Sequence, residues 1–267
     1  MRVRTAVATA LMVLLLPAPA AAAPVAADLH LPGTAWWVEP ATGRTVVAAD
    51  ATVGARDLRR LAGAGVRIVR EPGKRRLHLA GGDSVQPTGS TSRCTLGFNA
   101  RDAGSAHHFL AAAHCLGGVG TSVSAGPVLL GDVTAVDAAR DIAVVRYRNP
   151  AIAKPSAVSL PGGALHMITA FGPPVVGRRI QRVGRTTGLR AGTITAINVT
   201  VNFPEGTLTG LARTTACAEP GDSGGPVFSG GVGLGLVSGG SGSCATGGIS
   251  YFTPIHRTAA AFGLTAY

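Results

Sequence analysis

Ten residues, Cys217-Ala-Glu-Pro-Gly-Asp-Ser-Gly-Gly-Pro226, constrain this chain more than any other stretch. A serine set between glycines, directly after an aspartate, is ill suited to a buried core strand, where glycine packs nothing and a hydroxyl needs a partner. Gly221 and Gly224 leave the Ser223 hydroxyl open to close approach and permit backbone angles that a Cβ resists. Such a bend turns the Gly221 and Ser223 N–H groups outward as a paired donor site for a developing oxyanion. Taken alone, the stretch also reads as a Gly-rich turn without chemistry.

Two further stretches favour chemistry. Phe109-Leu-Ala-Ala-Ala-His-Cys115 is an apolar, strand-like run that ends in a histidine and a cysteine, and Ala139-Arg-Asp-Ile-Ala-Val-Val-Arg-Tyr147 sets one carboxylate at the head of another apolar run. A serine hydroxyl holds its proton too tightly to attack at neutral pH. It needs an imidazole to take that proton and a carboxylate to fix the imidazole tautomer. Ser223, His114 and Asp141 are the candidates for the three roles, in the chain order His, Asp, Ser. Gly221-Asp-Ser-Gly-Gly225 also fits the nucleophile elbow of α/β-hydrolases, but there the order is Ser, acid, His. His256 is available as a late histidine, yet no Asp or Glu follows Ser223, and Gly-Gly-Pro-Val-Phe starts a helix poorly. A dedicated esterase is therefore the weaker reading.

Together these three motifs resemble the chymotrypsin-type serine proteases, and the match to the streptogrisin and α-lytic protease branch is closer still. Arg93-Cys-Thr-Leu-Gly-Phe-Asn99, Arg185-Thr-Thr-Gly188, Cys217-Ala-Glu-Pro220, Ser238-Gly-Gly-Ser-Gly-Ser-Cys244 and the ending Phe252-Thr-Pro carry the likeness, which runs from about residue 79 to the C-terminus. The resemblance implies an all-β fold of two six-stranded antiparallel β-barrels with a short C-terminal helix and an active site in the cleft between the barrels.

Residues 1–23 have a basic start (Arg2, Arg4), an apolar run through Leu16 and a small-residue end, which is the pattern of a secretory signal. The apolar run is shorter than a bilayer-spanning helix needs, so no membrane anchor is expected and the protein is expected to be secreted. Residues 24–78 hold no cysteine and carry short basic clusters at Arg59-Arg60 and Lys74-Arg-Arg76. Short clusters in an exported chain do not make a nucleic-acid surface. Thr34 to Ala48 reads as two strands around a Pro/Gly turn, and Asp57 to Ala64 as a short helix. In the resembling family this position holds a pro-segment that assists folding and is then removed, with a junction similar to Leu77-His-Leu-Ala-Gly-Gly-Asp83. Cleavage is expected between residues 77 and 80, leaving a monomeric protease domain over 79–267.

That portion is rich in Gly, Thr, Ser and Val, with short apolar runs between glycine turns, as an all-β sandwich or barrel requires. Only Ile255 to Phe262 reads as a helix. All four cysteines lie here. An even number in an exported chain points to disulfides, with three possible connectivities, while the lack of a Cys-x-x-Cys spacing argues against a metal. The intervals, as in the resembling family, favour Cys94 with Cys115 and Cys217 with Cys244. The formal charge of +11 is shared between the removable segments and the mature portion, whose densest basic stretch is Arg178 to Arg185. Within it, Arg182 matches the internal arginine that the streptogrisin branch pairs with the aspartate before the serine, here Asp222. His107 and His108 read as a solvated strand start, His166 and His256 as structural, and Asp83, Asp102, Asp132 and Asp137 as turn residues.

By resemblance the specificity pocket is walled by Ser238-Gly-Gly240, Ala218-Glu-Pro220 and the stretch near Gly247-Gly-Ile-Ser250, and the Ser238 hydroxyl supports Asp141. No carboxylate matches the base of an Arg- or Lys-binding pocket, and the histidine pattern of glutamate-specific relatives is missing, so a medium or large apolar P1 residue is expected. Ile249 would narrow the pocket and favour Leu or Met over Tyr or Phe. The expectation is a secreted, cofactor-free serine endopeptidase acting on proteins and peptides, with its own pro-segment as folding partner. The alternatives are a non-catalytic binding module on a protease scaffold and an esterase.

Overall fold

The computed structural model describes residues 31–73 and 79–267, which belong to two separate compact units. The expected signal segment, the start of the expected pro-segment, and residues 77 and 78 of the expected cleavage interval lie outside the described residues.

The first unit contains β1 (Thr34–Val38), β2 (Thr45–Ala49), α1 (Ala55–Gly63) and β3 (Arg67–Arg70). Strands β1 and β2 form a hairpin through the Pro/Gly turn, where Gly43 N–H bonds Glu39 O at 2.9 Å. Helix α1 then crosses over to set β3 parallel to β2. Val47 and Leu61 form its small core, with Leu31, Val66 and Ile68 packed against them. The helix starts two residues before the expected Asp57, because Gly54 is extended while its carbonyl already accepts Leu58 N–H.

The second unit is built from strands and divides into two barrels. The first comprises β4 (Ser84–Pro87), β5 (Cys94–Thr95), β6 (Phe98–Arg101), β7 (His107–Ala112), the single-turn helix α2 (Ala113–Leu116), β8 (Ser122–Ala125), β9 (Val128–Asp137) and β10 (Ile142–Tyr147). Its sheet runs β5-β4-β8-β9-β10-β7-β6, and β5 and β6 are one chain path interrupted at Leu96-Gly97, so the seven segments make a closed ring of six. A two-stranded connection, β11 (Ala157–Ser159) with β12 (Leu165–Met167), leads to the second barrel.

There follow β13 (Ala170–Phe171), β14 (Arg179–Gly184), β15 (Gly188–Phe203), β16 (Gly206–Thr214), β17 (Pro226–Ser229), β18 (Val232–Ser243), β19 (Gly247–Pro254) and α3 (His256–Ala261). Six of these strands run β18-β17-β14-β15-β16-β19, the β18–β19 pairing closes the ring, and β13 joins as a short parallel addition. Closure removes the unpaired edges that an open sheet of this length would leave. One core fills the first barrel around Phe109, Leu116 and Leu130, and another the second around Ile180, Leu234 and Phe252. A third joins them, with Phe98 and Leu110 from one barrel packed with Phe228 and Leu236 from the other and with Ile255 of the C-terminal segment. This shared core fixes the barrels against each other and hence the width of the cleft they form.

Candidate active site

The β7–β10 ladder places the histidine and the aspartate. Ala112 pairs with Ile142, so the residues just past the ladder, Ala113-His114 and Asp141, are set side by side. Asp141 then grips the start of α2 three times. Its carbonyl accepts Ala113 N–H at 3.0 Å, Oδ1 accepts His114 N–H at 2.7 Å, and Oδ2 accepts His114 Nδ1–H at 2.6 Å. The last bond commits Nε2 to the unprotonated, acceptor role. Asp141 is buried with only 7% of its side chain exposed, whereas that of His114 is 45% exposed at the cleft. The hydrogen bond from His114 to Asp141 is the main reason the imidazole pKa lies above its ordinary value. Burial opposes it, and the charges of Asp141 and Glu205 add to it.

Asp141 itself has φ +55° and ψ +43°, a left-handed conformation uncommon for a residue with a Cβ. The 3₁₀ turn Ala138–Arg140 leads into it, and Asp137 holds that turn by accepting from Arg140 N–H, Arg140 Nη1 (3.0 Å) and Thr258 Oγ1 (3.0 Å). Asp137 therefore does more than occupy a turn. The Ser238 hydroxyl, expected to support Asp141, instead pairs with Thr253 Oγ1 at 2.9 Å. The β18–β19 register shifts between Val237 and Gly239, and this irregularity contains Ser238.

The serine comes from the turn between β16 and β17. Gly221 and Gly224 have φ of +95° and +82°, and a Cβ on Gly224 would come 2.5 Å from Thr95 O. The backbone N–H groups of Asp222, Gly224 and Gly225 bond to Glu219 O, Val237 O and Asp222 O. Those of Gly221 and Ser223 make no hydrogen bond among the described residues, so two donors remain on the turn that carries the Ser223 hydroxyl. The hydroxyl closes no bond to His114 among the described residues. Such bonds are often longer in unliganded sites and tighten when substrate binds.

Asp222, fully buried, is the hub of this turn. It accepts from Thr186 N–H, Thr187 N–H, Thr187 Oγ1 (2.6 Å) and Glu219 N–H, and forms an ion pair with Arg182 Nη1 at 3.0 Å. Arg182, also 0% exposed, donates to Cys217 O as well. It lies inside the densest basic stretch of the second unit yet is not at the surface. Burial pulls its pKa down, Asp222 pulls it up, and Arg190 again lowers it. The pair is fully hydrogen-bonded, the condition under which buried charges are tolerated.

Thr95 is a residue that the motifs did not single out. Buried on β5, it donates N–H to Ser223 O (2.9 Å) and Oγ1–H to Gly221 O (2.8 Å), so the first barrel clasps the serine turn of the second. The neighbouring Cys94 is disulfide-bonded to Cys115, next to His114, with Cα atoms 6.0 Å apart. Cys217 is bonded to Cys244, linking the segment before Ser223 to the end of β18.

His114, Asp141 and Ser223 line one cleft of about 680 Å³. Its walls include Ala218, Val237, Ser238, Gly239, Gly240 and the tip of the β15–β16 hairpin from Phe203 to Leu208. A Cβ on Gly239 would come 2.6 Å from the Phe203 ring, and one on Gly240 would come 2.5 Å from Ile249 O. Ile249 itself does not line the cleft, because β19 stands behind Gly240 and presents backbone there, so the expected narrowing by its side chain has no basis. Nor are His107 and His108 a solvated strand start as expected. His108 is buried and bonded to Asp102 at 3.0 Å, and the His107 ring packs edge-on to Tyr267.

Residues 80–261 match the Trypsin family model. The chain is 41% identical to Streptogrisin-A of Streptomyces griseus over 255 residues, covering 93% of this chain and 82% of that one. Among solved structures it is similar to Thermobifida fusca Protease A, at 40% identity and a TM-score of 0.64, over 70% of this chain and 97% of that one. The Alpha-lytic protease homolog N4 gives the same identity and TM-score over 71% of this chain and 100% of its own. The chain belongs to the trypsin family as a chymotrypsin-type serine endopeptidase of the streptogrisin and α-lytic protease branch, acting on protein and peptide substrates.

Proposed function

We propose that this endopeptidase works through Ser223, His114 and Asp141, and that it is exported as a precursor with a signal at 1–23, a pro-segment at 24–78 and a protease domain at 79–267. The observation that carries the catalytic reading is the 2.6 Å bond from His114 Nδ1 to buried Asp141, with Nε2 left as acceptor in the cleft that Ser223 lines. His114 Nε2 takes the Ser223 proton as Oγ attacks the peptide carbonyl, and the Gly221 and Ser223 N–H groups receive the oxyanion. The imidazolium, stabilised by Asp141, then protonates the leaving amine. Water repeats the sequence on the acyl-enzyme, with His114 again as base and Ser223 as leaving group. No cofactor takes part in these steps.

Ala218 and Val237 give the wall beside Ser223 an apolar character, which supports a medium or large apolar P1 side chain. Glu219 also lines the cleft, but its Oε1 accepts Cys244 N–H at 2.8 Å, which supports an apolar rather than a basic P1 preference. Export is supported by the sequence of residues 1–23, and among the described residues no helix is long and apolar enough to cross a membrane.

The test is hydrolysis of peptide substrates with Leu, Phe, Lys or Glu at P1 by the processed enzyme and by Ser223→Ala. The expected result is cleavage after the apolar residues, lowered about a million-fold in the variant. Equal turnover by Ser223→Ala would overturn the assignment of the nucleophile.

A further inference from the structure

The formal charge of +11 is shared between the segments proposed to be removed and the protease domain, and no lysine or arginine lines the cleft. Its charged walls are carboxylates. Asp141 is spent on His114, and Glu219 on Cys244 N–H. Glu205 differs from both, because it is exposed at the tip of the β15–β16 hairpin and makes no hydrogen bond or ion pair among the described residues. A carboxylate that supported the fold would have a donor. One that stands free in a substrate cleft has its charge available to a ligand.

The location of that charge follows from the hairpin. Phe203, two residues earlier, lies against Gly239 in the β18 stretch that walls the P1 pocket. On the protease reading, a substrate whose chain ran from the pocket along Ser238–Gly240 would meet the hairpin tip with the residues that precede P1. We propose that Glu205 is a specificity-determining residue that selects peptides with lysine or arginine within the three residues upstream of P1. This rests on the protease reading and adds a second requirement to it: an apolar residue at P1 with a basic side chain before it. Glu205 also acts on His114, whose pKa it helps to raise, so its field reaches the reacting groups. Arg185 approaches Gly221 on the serine turn and is not among the residues that line the cleft.

The experiment uses peptide sets with a fixed leucine at P1 and Lys, Gln or Glu at each of the three upstream positions. They are cleaved by the processed enzyme and by Glu205→Gln, at low and at high salt. An exposed ion pair corresponds to roughly a 2- to 5-fold gain, so kcat/KM for Lys over Gln is expected to rise about that much at one upstream position, with Glu disfavoured there. The preference is expected to shrink as salt rises and to vanish in Glu205→Gln. Because the readout is a ratio within one enzyme, a variant with fewer active molecules gives the same ratio. Cleavage of the Lys and Glu peptides at equal rates, or a preference that persists in Glu205→Gln, would overturn this inference and leave the protease reading intact. No cleavage of any peptide by the processed enzyme would overturn both.

Discussion

On the proposed mechanism His114 carries two opposite pH dependences, because activity needs the neutral imidazole while its bond to Asp141 is strongest with the imidazolium. The folded-state pKa lies above the ordinary 6.5, with the Asp141 hydrogen bond as the main cause. The kcat/KM profile is therefore expected to fall on the acid side with a midpoint above 6.5, measured with an uncharged peptide substrate. The stability contribution runs the other way. It is fully present below pH 6.5, where the unfolded imidazole is also protonated, and is lost as pH rises through the folded pKa. A midpoint below 6.5 would mean that the Asp141 bond is not made in solution. Thr95 belongs to the same scale, since one buried side chain and its backbone N–H set the two carbonyls flanking Asp222. Nothing in the sequence around residue 95 announces this, because its partners lie 126 and 128 positions away.

At the scale of elements, the turn between β16 and β17 is held from β14 by Arg182, whose guanidinium joins Asp222, Thr187 and Cys217 O. Removing it leaves a carboxylate buried and unpaired, so Arg182→Ala is expected to lose about 3–5 kcal/mol. Lysine, with a single charged head in place of a planar fork, is not expected to restore this. Denaturant unfolding in a Ser223→Ala background, where self-digestion cannot intervene, measures the loss. An unchanged midpoint would show that Asp222 finds its partners elsewhere.

The positions of His114 and Asp141 are legible because one ends and the other begins an apolar run, and that of Ser223 because glycines flank it in a turn, all local patterns. So are the hairpin of the first unit and the helix near residue 256, though boundaries slipped by one or two residues. What escaped depends on register and on contacts between barrels. The Ser238 hydroxyl turns to Thr253 at a shift in the β18–β19 ladder, and His108 finds Asp102 across a turn. The burial of Arg182 inside a basic run is likewise invisible until β14 is closed into a ring.

On the scale of the whole molecule, the proposed precursor is exported and then cut near residue 79. Leu79 is almost fully buried in the protease unit, where its N–H bonds Ala153 O at 3.0 Å and its carbonyl accepts Asn99 Nδ2–H at 2.6 Å, and Ala80 is fully buried beside it. A cut between Leu79 and Ala80 would sever a bond between two anchored residues, so the cut is expected before Leu79. The central claim is that Ser223 is the nucleophile of such a processed enzyme. Mass spectrometry of the secreted protein after reaction with a serine-directed phosphonylating reagent tests it directly. The account predicts one adduct on Ser223 in a chain beginning at or next to Leu79. A folded, processed protein that takes up no label would contradict it and favour a binding module on a protease scaffold.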